Sequence, residues 1–412
     1  MNEPERARRI GKRVRSLRRQ RGMSLRQLAG LAGCSVGFVS MVENGKRLLD
    51  SSSLIAAFAE ALQVSPAEVT GQPHPPADPH ASAAHEAIPV LRLTLMGLNP
   101  ALTTSGRPAA PPEVLAGRVA EANRLYHAAE YGTLTAALPL LLADLHAAAA
   151  AERGTGRRRM LRLLANAYHP ACTLLLKNLG YTDLAFIAVS RARDVIAELE
   201  DPVYSALSGF FQTHVLLSAG SPTQALARAT TAINELERNL TTPAAHALLG
   251  ELHLISASSI TLDRKRPGRT RAAEVHDHLG EAANLATRTG ETRAWHLNFG
   301  PTNVGIHKVS LNTDLGLHTA AVNAGSDVRP QRLDAPGRQA AFHTDLGRSL
   351  AHLRGREAEA VAALLQAERI APQRVHSAAL AREIVGYLLD RQLPAHAARN
   401  LRGLAHRMGL VL

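Results

Sequence analysis

Three short stretches decide how this chain is read: Gly22-Met23-Ser24-Leu25-Arg26-Gln27-Leu28-Ala29, then Gly33-Cys34-Ser35, then Val39-Ser40-Met41-Val42-Glu43-Asn44-Gly45-Lys46. Ser24 and Ser35 stand where helix N-caps stand, because a short hydroxyl can accept from the first free backbone N–H groups. Leu28, Ala29, Val39 and Val42 then lie on the facing sides of two short helices separated by a tight turn at Gly33. Ala29 has to be small because the second helix crosses there. Asn44-Gly45 ends the second helix.

Working outward, residues 5–70 read as five short helices. Glu5–Arg21 is the first, with Ile10, Val14 and Leu17 on one face. Leu54–Leu62 is the fourth. Ser65-Pro66-Ala67-Glu68 opens the fifth with capping-box spacing and Pro at the first helical position. Charge is concentrated in this segment. Residues 1–70 hold twelve Lys and Arg against six Asp and Glu, and the other 342 residues hold 35 against 29. Half of the net +12 therefore lies in the first sixth of the chain. Arg6–Arg26 supplies ten cations and no anion, which is the electrostatic footprint of a polyanion site.

The pattern over residues 10–69 resembles the helix-turn-helix domain of the lambda-repressor/Cro (Xre) family. The resemblance implies double-stranded DNA as a partner, with the second helix of the pair, Ser35–Glu43, entering a major groove. The family's base-reading positions fall on Val36, Gly37, Ser40 and Met41. None of these offers the bidentate amide or guanidinium that reads purines. Val36 and Met41 suit thymine methyls, and Ser40 a base or phosphate, so shape and backbone contacts carry more of the specificity. Phosphate contacts are assigned to Arg26, Gln27, Lys46 and Arg47, with Ser35 at the helix start. Glu43 is expected to orient a neighbouring basic side chain or cap locally rather than read a base.

Residues 71–111 hold eight of the 22 prolines and read as a linker, with one possible short helix over Ile88–Leu98. From 112 to 412, helical stretches alternate with breaks at Gly, Pro or Asp-Pro. Seven helix pairs are expected, opening near 112, 157, 202, 242, 292, 335 and 372. A spacing of this kind marks a solenoid in which each pair buries its apolar face against its neighbours. Gly220-Ser221-Pro222-Thr223-Gln224-Ala225-Leu226 and Gly355-Arg356-Glu357-Ala358 resemble tetratricopeptide (TPR) repeat openings. The whole is similar to peptide-sensing quorum regulators of Gram-positive bacteria. That resemblance implies a homodimer and a signalling peptide or small-molecule effector.

Candidate effector-binding residues follow from polar stripes on the inner helices. Asn166, His169, Thr173 and Lys177 are spaced 3, 4 and 4, although Pro170 is expected to kink that helix. Ser205, Ser208 and Gln212 form a second stripe. Trp295-His296-Leu297-Asn298-Phe299-Gly300-Pro301-Thr302-Asn303 holds the only Trp. Its Gly-Pro step is expected to interrupt a helix, leaving Asn298 and Asn303 to clamp a peptide backbone. Each stripe has an ordinary alternative as a solvated face or an inter-repeat turn with Trp295 in the core.

Composition limits the remaining classes. Aromatics are 3% and hydrophobic residues 46%, with Ala, Leu and Arg dominant, so the expectation is all-α. Cys34 and Cys172 are too few for a disulfide framework or a four-cysteine zinc site. Neither a signal peptide nor a membrane span is read, which points to the cytoplasm. Gly33-Cys34-Ser35-Val36-Gly37 fits a nucleophile elbow but follows no strand. His276-Asp277-His278 lacks further ligands at metal spacing. No catalytic set, metal or cofactor is expected. The reading is a DNA-binding transcriptional regulator whose repeats dimerise and sense a signal. The alternative is a repeat protein that sequesters a partner protein, with DNA contact secondary.

Overall fold

A computed structural model describes residues 9–74, 79–98 and 110–410. The first four residues of the expected opening helix, and 75–78 and 99–109 of the expected linker, lie outside the described residues. Among those described, the chain is helical, with one isolated antiparallel bridge between Thr292 and Phe299.

The head comprises α1 (Arg9–Gln20), α2 (Leu25–Leu31), α3 (Val36–Glu43), α4 (Ser52–Ala61) and α5 (Pro66–Thr70). The expected caps form. Ser24 and Gln27 make a reciprocal capping box, as do Ser65 and Glu68, and Ser35 accepts from Phe38 N–H. Gly33, at φ 63°, turns the chain, and α2 and α3 meet at 111°. Ile10, Val14, Leu28, Val39, Val42 and Phe58 close one core. A Cβ on Gly11 would sit 2.0 Å from the carbonyl oxygen of Val42, so α1 crosses α3 with backbone nearly touching backbone.

The segment read as a linker adds α6 (Pro79–Glu86) and α7 (Ile88–Met96), both packed on the body. Ile88, Leu91 and Leu95 are buried there, and His85 Nδ1 lies 2.9 Å from the Tyr181 hydroxyl. The Pro and His content suggested an open tether. Apolar burial of a short amphipathic helix outweighs it.

Seven helix pairs follow among the described residues. They are α8 (Pro112–Ala128) with α9 (Tyr131–Ala151), and α10 (Gly154–Asn166) running on to α11 (Leu175–Leu179), with α12 (Thr182–Ala197). Next come α13 (Pro202–Ser218) with α14 (Pro222–Glu237), and α15 (Pro243–Leu262) with α16 (Gly268–Thr289). The last three are α17 (Pro301–Asp314) with α18 (His318–Asp327), α19 (Pro336–Ala351) with α20 (Glu357–Ile370), and α21 (Pro372–Ser377) and α22 (Ala379–Leu389) with α23 (Ala395–Arg407). Helix α9 has the length and apolar composition of a membrane span, but half of it is buried inside the fold, against α8 and α10.

Two proline expectations change. Pro170 does not break its helix, which continues as Ala167–Leu174 widens into π-helical turns. Pro170 cannot donate to the Asn166 carbonyl, and Asn123 Nδ2 donates to that oxygen instead at 3.2 Å. The Thr173 hydroxyl likewise donates to Tyr168 O at 2.8 Å, so the freed carbonyls are satisfied without a break. Pro301 does not interrupt a helix either, since it is the first residue of α17, where a missing N–H is harmless. The fifth pair thus opens at 301, not near 292. Residues 292–300 are a loop held by the Thr292–Phe299 bridge, with left-handed Trp295 and His296 at its tip.

The stack curls until its first pair meets its last ones. Helix α8 packs on α19, Gly132 N donates to Gln373 Oε1 at 3.1 Å, and His127 Nε2 lies 2.8 Å from His296 O. The head rests on the same late repeats. Buried Arg348 donates to Asp50 O at 2.5 Å and to Asp314 and Asp345 at 2.8 Å each. His352 Nε2 lies 2.7 Å from Asp50 Oδ2, and Gln72 Nε2 donates to Ser377 O at 3.1 Å.

Candidate nucleic-acid interface and interior chamber

Helix α3 presents its outer face away from the head core. Val36 and Met41 are each 43% exposed, a high value for apolar side chains flanking exposed Gly37 and half-buried Ser40. Ser35 Oγ accepts from Phe38 N–H at 3.1 Å, so its first duty is the cap. Ser40 O accepts from Asn44 Nδ2 at 2.8 Å, which fixes the end of the helix. Arg26 and Gln27 are exposed at the start of α2. The Gln27 Oε1 accepts from Ser24 N–H at 2.8 Å, leaving its NH2 as the donor. Lys46 and Arg47 are exposed and line a crevice of about 310 Å³ shared with Glu383 and Tyr387 of α22.

The cationic block is not all footprint. Arg18 Nε and Nη2 donate to buried Glu43 at 2.6 and 2.8 Å, which locks the end of α3 to α1. Arg21 donates to Gln63 and Arg13 to Glu68 O. These three guanidiniums hold the head together, while Arg15, Arg19 and Arg26 remain exposed. Glu43 orients a basic side chain, as its position in the pattern suggested.

Residues 9–70 match the family model described as a helix-turn-helix domain. The head is a helix-turn-helix domain. Over 55 residues, 13% of the chain, it is 39% identical to the HTH-type transcriptional repressor RghR of Bacillus subtilis. The match spans 41% of that repressor's length. Among solved structures, the chain is similar to Bacillus thuringiensis PlcR, determined in complex with the peptide PapR7 and DNA, at 15% identity and a TM-score of 0.32. That similarity covers 68% of this chain and 95% of PlcR.

Behind the helix-turn-helix head, the closed stack of repeats surrounds a chamber of about 100 Å³. Every pair sends its inner helix to it. Tyr126 and His127 come from α8, Lys177 from α11 and His214 from α13. Glu251 comes from α15, Asn303 and His307 from α17, Arg338 from α19 and Arg374 from α21. Burial, with Arg374 and Arg338 adding to it, lowers the Lys177 ammonium to about 8. Burial raises the Glu251 carboxyl to about 7 against the pull of Arg338 and Asn303. Burial also lowers His127 to about 4 and holds His214 and His307 well below the usual imidazole range. Lys177 has no hydrogen-bond or ion-pair partner among the described residues.

Three of the sequence candidates meet here: Lys177, Asn298 and Asn303. Asn303 is not poised to clamp a backbone. Its Nδ2 donates to Glu251 Oε1 at 3.0 Å, and its Oδ1 accepts from Arg338 at 3.0 and 2.7 Å. Asn298 Nδ2 lies 3.1 Å from His127 Nδ1. The others lie elsewhere. Asn166 sits on the far side of the π-helical turns, toward Tyr204. His169 is fully buried and stacks on Phe211 at 4.3 Å. Ser208 and Gln212 bond each other beside Arg228 in a separate open groove. Trp295 donates to Ala244 O at 2.8 Å and meets Tyr204 edge-on, a turn anchored on the core. Sequence reading missed Glu251, Arg338 and Arg374. For Glu251 the available signal was a charged residue on an otherwise apolar helix; Arg338 and Arg374 lie on polar helices and carried no such signal.

Proposed function

We propose that the chain is a sequence-specific transcriptional regulator that binds duplex DNA through its helix-turn-helix head and responds to an effector held in the interior chamber. The observation that carries this is the exposed α3 face with Val36 and Met41 presented outward, on a head whose other side rests against the repeats that build the chamber. The identity with a transcriptional repressor over the head supports the DNA-binding part. One head covers one half-site, so the working unit on this reading is a homodimer on a pseudo-palindromic operator with half-site centres about 34 Å apart or a multiple of that.

The test is selection of a binding duplex from a random pool by the full chain, then titration of that duplex across salt concentrations. Each neutralised phosphate contributes a slope of about −0.9 in log K against log salt, so a dimer should give a slope magnitude of at least about 4. A flat salt response, or no enriched sequence, overturns the reading.

A further inference from the structure

We propose that the chamber is a binding site for a compact organic acid, with an apolar or aromatic body and one or more carboxylate or phosphate groups, held by Lys177, Arg338 and Arg374. The inference rests on the effector-sensing reading above and names the chemistry of the ligand.

Charge is the first argument. Three cations face the chamber and only one carboxylate, Glu251, does so. The nearby histidines add no positive charge because burial keeps them neutral, and burial also pushes Glu251 toward its neutral form. Half-buried cations without matching anions are costly to a fold and are retained where a ligand pairs with them. Arg338 commits Nε and Nη2 to Asn303. Arg374 makes one long contact to the Tyr131 hydroxyl at 3.4 Å. Lys177 lines the same chamber near both as a point charge. Two guanidinium edges beside an ammonium suit the forked geometry of a carboxylate or phosphate.

Shape is the second argument. A linear peptide needs a long groove, but α8 packs on α19 and His127 ties the loop at His296, leaving only about 100 Å³ between the repeats. The chamber adjoins a crevice of about 320 Å³ under the head, with Lys177, Asn178 and Arg374 lining both. Together they match the usual size of a small-molecule site, about 300–1,000 Å³. Leu174, Phe210 and Leu297 supply apolar wall. The shared residues also give a route to the head, because Ser52, Ile55 and Thr70 of the helix-turn-helix domain line the same crevice. A ligand that draws Lys177 and Arg374 inward alters the surface on which the head sits.

The experiment uses the full chain at constant ionic strength and follows Tm. Phenyl phosphate and benzoate are titrated beside neutral benzamide, cationic benzylamine and a mixed linear heptapeptide library. A saturable rise in Tm with either acid, absent with benzamide and benzylamine, is the expected result; which acid is tighter distinguishes phosphate from carboxylate. Lys177→Met should abolish the rise and, without any acid, raise Tm by removing an unpaired charge, whereas Lys177→Arg should retain the rise. The proposal is overturned if acids and neutral analogues act alike, if Lys177→Met still responds or fails to fold, or if only the peptides stabilise. Binding to the selected duplex is then measured with and without the acid. A 5–150-fold change in affinity is expected from typical coupling between sites. Acid binding without such a change supports the site and overturns the sensing role, while loss of duplex binding altogether bears on the head alone.

Discussion

Glu43→Gln tests whether this carboxylate holds α3 in place or reads a base. The side chain is 4% exposed and accepts from Arg18 Nε at 2.6 Å and Nη2 at 2.8 Å. The remaining nitrogen of Arg18 donates to Met23 O at 2.7 Å. One guanidinium therefore ties the end of α3 to α1 and to the turn before α2. Glutamine keeps the shape and one acceptor oxygen but removes the counter-charge, leaving half-buried Arg18 with neutral partners only. Breaking one half of a fully buried pair costs about 3–5 kcal/mol, which is the upper bound for this half-buried one. For a head spanning residues 9–70, a stability of about 0.05–0.15 kcal/mol per residue gives on the order of 3–9 kcal/mol. Even part of that loss is a large fraction of the head's stability, so α1–α3 should open more often and DNA binding should fall for every sequence alike. Arg18→Met with Glu43→Leu should restore most of the stability, because apolar replacement of a buried pair is often neutral or favourable. Hydrogen exchange of the α1–α3 amides and binding to a panel of base-substituted duplexes read the two effects separately. If Glu43→Gln leaves exchange unchanged yet shifts preference at one base pair, the positioning argument is wrong and Glu43 contacts DNA.

Met41→Ala should weaken binding at a thymine-containing position by about 1 kcal/mol, while Arg26→Ala should weaken all duplexes about equally; a base-substitution panel separates the two. In the body, a Cβ on Gly250 would lie 2.0 Å from the Phe299 ring. Gly250→Ala should therefore lower stability by about 1–3 kcal/mol or more. Gly117→Ala, at an exposed mid-helix site with nothing within 4 Å, should raise it by about 0.5–1 kcal/mol in the same denaturant titration. Glu368 is pulled upward by burial, but hydrogen bonds from Arg407 and His376 outweigh this and hold it at about 2. Its folded value lies below the ordinary 4.5, so its contribution is complete above that pH and is lost as pH falls toward 2. Exchange protection of α23 should drop across that window, and Glu368→Gln should remove the step.

The local devices were legible because they are made within a few residues. Ser24 with Gln27, Ser35 with Phe38 N–H, and Ser65 with Glu68 satisfy helix starts from three positions away. Six of the seven pairs begin within about three residues of the expected positions, several on a Pro whose missing N–H suits a helix start. The exception follows from contacts the local pattern does not encode. The loop before α17 depends on the Thr292–Phe299 bridge, on Glu291 accepting from Thr302 N–H at 2.8 Å, and on Phe299 lying over Gly250.

The sequence by itself determined that the chain is helical, that its head holds two capped helices across a glycine turn, and that an apolar-faced helix is offered outward beside a basic segment. These depend on caps, periodicity and charge, which act over one helical turn. The membership of the chamber was decided by tertiary structure. In an uninterrupted α-helix, Asn166 and Lys177, eleven residues apart, would share a face. The π-helical turns between them wind more slowly and send Asn166 toward Tyr204 and Lys177 inward. Glu251, Arg338 and Arg374 come together from repeats far apart in the chain. Periodicity specifies which face of a helix is apolar. It does not specify the small rotation between successive pairs, and the sum of those rotations is what brings α8 against α19 and turns a groove into an enclosed, cation-lined site.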